Sequence, residues 1–120
     1  MKDSYLSREE LVKFIATLPT RRLAAGAVIR NEHGELLLVQ PNYKDGWILP
    51  GGTVEAGEAP KPGCFREVEE ELGLRLAPGR LLLVFHGLAR GVWGDSTYYM
   101  YDAGVIAKNT PVTLQTEELI

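Results

Sequence analysis

The chain has 120 residues, 45% hydrophobic and 24% charged, with a formal net charge of −3. That length holds one domain, able to bury about two thirds of its unfolded surface, and leaves no room for a second. The composition excludes a disordered chain, and the charge excludes a basic field able to grip a nucleic-acid polymer.

The single cysteine, Cys64, excludes an internal disulfide and a paired-cysteine zinc or redox site. The first residues carry no apolar signal core and the aliphatic runs reach only about five residues, so a cytoplasmic protein that neither leaves the cell nor spans a membrane is expected. Ser7-Arg8-Glu9-Glu10 reads as a capping box that opens a helix over about Arg8 to Thr17. Leu11, Phe14, Ile15 and Leu18 share one side of it and Pro19 ends it, which predicts an N-terminal extension, residues 1–20, packed on the main domain. Leu23 to Arg30 and Glu35 to Gln40 then predict a hairpin about the turn Asn31-Glu32-His33-Gly34, with His33 in solvent. Pro41 to Gly46 is a loop rich in breakers, and Trp47 to Leu49 is extended. Loops that precede such a strand often line a pocket, which makes Tyr43, Lys44 and Trp47 candidates for touching a ligand; for Trp47 ordinary packing is an equal reading.

Gly51 and Gly52 permit close backbone approach, and a loop from Thr53 to Ala59 leads to Pro60, suited to a first helical turn. Pro62 and Gly63 predict an irregular or late start, with the helix running over Cys64 to Leu72 and capped by a left-handed Gly73. At 100° per residue Glu67, Glu70 and Glu71 fall on one face, Glu69 points away, and Phe65, Val68 and Leu72 lie opposite. Like charges three and four apart repel, so the face suits either plain solvation or a neutralising cation. Oxygen donors with no histidine or second cysteine nearby point to Mg²⁺ or Mn²⁺ rather than zinc.

Leu74 to Leu76 and Arg80 to His86 predict further strand about a Pro78-Gly79 turn; the second run is almost wholly apolar, which suits the middle of a sheet. Gly87 to Asp95 reads as a mobile loop bearing Arg90 and Trp93; simple surface placement is the plainer reading of both, and the other has Trp93 stacking on a base and Arg90 meeting a phosphate. Ser96 to Ala107 predicts the last strand before a tail. The order is α+β, with one domain over the whole chain.

Residues 52–74 fit G-x5-E-x7-R-E-U-x-E-E-x-G-U, with U aliphatic, at Gly52, Glu58, Arg66, Glu67, Val68, Glu70, Glu71, Gly73 and Leu74. With Leu49-Pro50-Gly51-Gly52 before it, this stretch resembles the Nudix box, signature of the Nudix hydrolases. The resemblance implies an α/β/α sandwich around a mixed sheet, and a C-terminus shorter than usual, since family members commonly add another strand and a covering helix. It leaves the surface so exposed to be covered by the N-terminal helix, by a partner subunit in a homodimer, or by nothing.

It also implies hydrolysis of a nucleoside diphosphate linked to another moiety, by attack of water at phosphorus with divalent metals clamping the oxygens. By position Glu67, Glu70 and Glu71 would hold Mg²⁺, with the Gly52 carbonyl as a further ligand, Arg66 orienting a carboxylate and Glu58 supporting it. The general base would be a box glutamate or a late one, Glu117 or Glu118. A nucleotide-binding module without turnover is the alternative, although such modules usually lose box glutamates that are kept here. No substrate marker is present: there is no proline near Ala89, and Thr53 stands where MutT-like enzymes often have lysine.

Overall fold

The computed structural model describes residues 5–43 and 45–112, so Lys44, Glu117 and Glu118 lie outside the described residues. Helix α1, Arg8–Ala16, begins as the sequence predicts: the Ser7 hydroxyl accepts from the Glu10 amide at 3.2 Å and the Glu10 carboxylate from the Ser7 amide at 2.9 Å. It buries none of its residues, however, and Leu11, Phe14, Ile15 and Leu18 are 44–55% exposed. The expected packing on the domain is therefore corrected. An apolar stripe records that a helix has a face to bury, not which surface meets it.

Strands β1, Arg22–Arg30, β2, Gly51–Thr53, β3, Leu81–Gly87, and β4, Ser96–Val105, form one mixed sheet in the order β2-β1-β4-β3. The pair β1 and β4 is parallel, and the two outer pairs are antiparallel. The helix α2, Pro60–Leu72, lies against one face. Ala25, Ala27 and Ile29 of β1 and Tyr101 and Ala103 of β4 are buried there with Cys64, Phe65, Val68 and Leu72 of α2. Two-residue alternation sets that face of the strands, and the alanines let the helix approach closely.

Three further expectations change. Residues 35–40 form only isolated bridges: Leu37 bonds to Ile29, after which Val39 exchanges two bonds with Ile48. The β1 edge beside them is already taken by Pro50 at Ala27 and by β2 at Ala24 to Gly26, so no longer ladder can form. Leu74 to Leu76 is not a strand. The apolar run in β3 lies at the edge of the sheet rather than its centre, with Leu81 to Phe85 each 42–48% exposed. An unbroken apolar run signals surface to be covered on both sides and does not specify a strand's place in the order.

The turn Asn31 to Gly34 is as expected, with Gly34 at φ 79° and Asn31 Oδ1 accepting from the amides of His33 and Glu35; His33 is exposed. Among the described residues no helix is long and apolar enough to cross a membrane.

Candidate active site

α2 starts at Pro60, a full turn before Cys64. Proline there and at 62 removes no helical bond, because the first N–H groups of a helix have no partner inside it; the ladder begins with Gly63 N–H to the Ala59 carbonyl at 3.1 Å. Gly63 has its own cause. A β-carbon there would lie 2.6 Å from Glu58 Oε1, so the missing side chain lets the Glu58 carboxylate cross the helix. At the other end Gly73 takes φ 69° and its N–H caps Glu69 at 2.8 Å.

Glu58 crosses to meet Arg66. The guanidinium donates from Nε to Glu58 Oε2 at 2.6 Å and from Nη2 to Oε1 at 2.9 Å, a two-point fork. Its Nη1 reaches Glu70 at 2.8 Å and Glu67 at 3.3 Å. Arg66 holds the Glu58 carboxyl down at about 2, with the Glu55 amide helping, and the surrounding glutamates push the Arg66 guanidinium well above its ordinary value. Glu69 is turned away, onto Arg75 at 3.0 Å. The acidic face is thus organised by one cation.

Glu71 is 5% exposed, and its Oε1 accepts the Gly51 amide at 2.7 Å. Burial of a carboxylate costs several kcal/mol unless donors meet it, and that amide is one. Gly51 sits at φ 145°, where an added β-carbon would be 2.1 Å from the Ala25 carbonyl. At Gly52 an added β-carbon would fall 2.9 Å from the Glu67 carboxyl carbon, so Gly51 lets β2 lie close against β1 and Gly52 makes room for the Glu67 carboxylate.

Glu67 and Glu71 reach the wall of an open cavity of about 1170 Å³ on the sheet face away from α2. The cavity brings together Tyr43, Arg90 and Trp93 from the sequence candidates with Gly52, Glu67 and Glu71. Trp47, 64% exposed, is outside its lining, and so are Glu58, Arg66 and Glu70. The segment bearing Arg90 and Trp93 is a tight hairpin turn rather than a plain loop: each of the two residues donates to the other's carbonyl, at 2.8 and 2.9 Å, with Gly91 at φ 60°. Positive φ at the first central position is the type II′ pattern.

Arg22, Asp45, Phe85 and Tyr98 also line the cavity and escaped the sequence reading. Alternation along β1 and β4 could have put Arg22 and Tyr98 on one face of each strand, but only the register makes the two faces the same. Burial pushes the Tyr98 hydroxyl up to about 12, and its ring lies 5.1 Å from that of Phe85. Cys64 is buried with its thiol also pushed up to about 12, which removes it as a nucleophile.

The donor chemistry fits a hard divalent cation in kind, since the box offers carboxylate oxygens with no imidazole or thiolate among them. Among the described residues no three such groups converge into a ready metal cluster; Glu70 and Glu67 both meet Nη1 of Arg66, while Glu71 faces the Gly51 amide. The shared helical face is observed, and its convergence on one point is not.

A NUDIX domain model matches residues 20–119. The chain belongs to the Nudix family. Among relatives, it is 32% identical to Nudix hydrolase 5 of Arabidopsis thaliana over 112 residues, covering 87% of this chain and 37% of that one. It is 43% identical to diphosphoinositol polyphosphate phosphohydrolase 2 of Rattus norvegicus over 72 residues, covering 58% and 40%. The crystal structure of the MutT protein from Methanosarcina mazei Go1 superposes with a TM-score of 0.72 at 30% identity, covering 87% of this chain and 76% of that one. The Nudix-type α+β sandwich with a mixed sheet is thereby established for this chain, which spans under half the length of the curated relatives it matches.

Proposed function

We propose that this Nudix domain hydrolyses a phosphoanhydride bond in a nucleoside diphosphate derivative, by metal-assisted attack of water. One observation carries the reading: Glu67 and Glu71 line the same cavity as the aromatic rings of Tyr43, Phe85, Trp93 and Tyr98. The carboxylates suit a cation and a pyrophosphate, and flat apolar walls suit a nucleobase.

Glu67, Glu70 and Glu71 would hold Mg²⁺ or Mn²⁺, with the Gly52 carbonyl as a further donor. When bound, such an ion polarises phosphoryl oxygens and lowers the pKa of water at the reacting phosphorus. Arg66 keeps Glu67 and Glu70 in place while Glu58 keeps Arg66 in place, a support of the kind that usually carries a tenfold to hundredfold effect. The base that takes the proton from water would be one of the box glutamates.

Relatives named for diphosphoinositol polyphosphate suggest a second substrate class. The cavity supports it less well, because among the described residues Arg22 and Arg90 are the cations in its lining, beside Asp45, Glu67 and Glu71. A densely phosphorylated ring would need more positive charge than that.

The deciding experiment is incubation with Mg²⁺ and a panel of nucleoside diphosphate sugars, dinucleotides, nucleoside triphosphates and diphosphoinositol polyphosphate, reading release of phosphate or monophosphate. Turnover of one nucleotide class, abolished by a chelator and restored by Mg²⁺, is the expected result. Nucleotide binding without product, even at alkaline pH, would identify a binding module instead.

A further inference from the structure

Two segments far apart in the chain adjoin at the cavity: the loop that carries Tyr43, before β2, and the turn that carries Arg90 and Trp93, between β3 and β4. The ring centroids of Tyr43 and Trp93 are 6.1 Å apart. Neither segment belongs to the four-stranded sheet, so no ladder holds them in place. Among the described residues the hydrogen bonds of residues 90–93 are the two between Arg90 and Trp93, both internal to the turn. Val92 at its tip is 98% exposed. The Trp93 ring is what reaches out of the turn, toward Tyr43 and toward Arg22, whose guanidinium carbon lies 4.6 Å from the ring centroid.

Arg22 holds this hairpin at both ends. Its amide donates to the Asp95 carbonyl at 3.1 Å, and the Asp95 carboxylate accepts the Ala89 amide at 2.7 Å, which closes the base of the hairpin. Its side chain then meets the tip. A cation over an indole is drawn to the electron-rich face of the ring, and a planar guanidinium suits that contact best. Among the described residues no carboxylate competes for it: the neighbouring Asp95 pairs with Arg21 at 3.8 Å, and Arg21 also bonds to His86 and Thr97. A substitution at Arg22 therefore removes the hold on the tip and leaves the main-chain bond at the base.

We propose that Arg22 is a positioning residue that acts through Trp93: it holds the turn 90–93 against the Tyr43 loop, so that the two segments meet a ligand as one preformed wall. The inference rests on the cavity being the ligand site, as in the function proposed above, and it requires no contact between Arg22 and the ligand. A preformed wall lowers the ordering cost of binding and leaves the reacting groups alone, so the effect belongs in KM rather than in kcat.

Limited trypsin digestion of the ligand-free protein reads the turn directly, by cleavage after Arg90 relative to cleavage elsewhere in the chain. Arg22→Gln and Trp93→Ala should each speed that cut, by about 3- to 10-fold, while Arg22→Lys, which keeps a cation for the ring, should fall between Arg22→Gln and wild type. Kinetics with Mg²⁺ and UDP-glucose, ADP-ribose or GTP should show KM raised by a similar factor in Arg22→Gln, with kcat within about twofold of wild type. The double variant Arg22→Gln/Trp93→Ala decides the route. Its KM should match that of Trp93→Ala within about twofold, because an arginine that works through the ring then has nothing left to hold. Effects that multiply instead would show Arg22 touching the ligand itself and would overturn the proposal, as would an unchanged cut at Arg90 in Arg22→Gln. A faster cut without hydrolysis of any of the three nucleotides would count against the hydrolase reading and leave the role of Arg22 standing.

Discussion

Arg66 and Glu58 are joined by two hydrogen bonds, 2.6 and 2.9 Å long, across eight residues and over the bare backbone of Gly63. That pair governs the box, because the same guanidinium then has one nitrogen left for Glu67 and Glu70. Glu58→Gln keeps the size and one acceptor but loses the charge, so Arg66 is expected to swing toward the other glutamates. Turnover should fall about 10- to 100-fold with the fold retained, and a wild-type rate would remove Glu58 from the mechanism.

The same pair sets a pH dependence. Glu58 titrates at about 2 in the folded chain against 4.5 when free, mainly through Arg66. A depressed carboxyl stabilises the folded state in full above its unfolded value, and that contribution disappears as pH falls through the folded one. Unfolding curves of wild type and Glu58→Gln should therefore differ at pH 6 and converge between about pH 4.5 and pH 2. A gap that is constant down to pH 2 would contradict this.

Gly63→Ala sets two effects against each other. Alanine is the better helix former by about 1 kcal/mol, but its β-carbon would sit 2.6 Å from the Glu58 carboxylate. Activity is expected to drop about as far as in Glu58→Gln, while thermal stability stays level or falls. A more stable and fully active variant would show that the carboxylate does not need the passage.

Glu71→Gln and Glu70→Gln test the box directly. Each is expected to lose at least about 100-fold in turnover. In Glu71→Gln the new carboxamide retains an oxygen for the Gly51 amide, so that variant should keep its melting temperature within a few degrees; loss of folding would mark Glu71 as structural first.

Gly26→Ala places a β-carbon 1.7 Å from the Tyr98 hydroxyl and 2.7 Å from its ring carbon. The tyrosine must leave the cavity floor, so nucleotide affinity should weaken by about tenfold or more, a base stack being worth ~1–3 kcal/mol. Tyr98→Phe in the same chain should recover part of it, since it removes the nearer contact. No recovery would mean that the β-carbon acts through the sheet instead.

Where a feature depended on neighbours in the chain, the residues foretold it. The Ser7-Glu10 box, the left-handed Gly73, the turn at Asn31 to Gly34 and the shared face of Glu67, Glu70 and Glu71 all follow from spacings of two to four residues, over which backbone geometry is rigid. Gly63 looked like a fault in a helix because its reason, Glu58, reaches it through space.

By itself the sequence determined the family, the α2 segment with its acidic face, and the presence of β1 and β4, because each is written in local period and motif. Only the tertiary structure decided that β3 lies at an edge, that α1 stands with its apolar stripe uncovered, that Glu70 turns to Arg66, and that Arg22 meets Trp93. Those outcomes depend on strand order, register and long side chains converging from distant parts of the chain. Hydrophobic pattern supplies a face to bury without naming its partner, and a pairing such as Arg22 with Ser96 exists only once the sheet has closed.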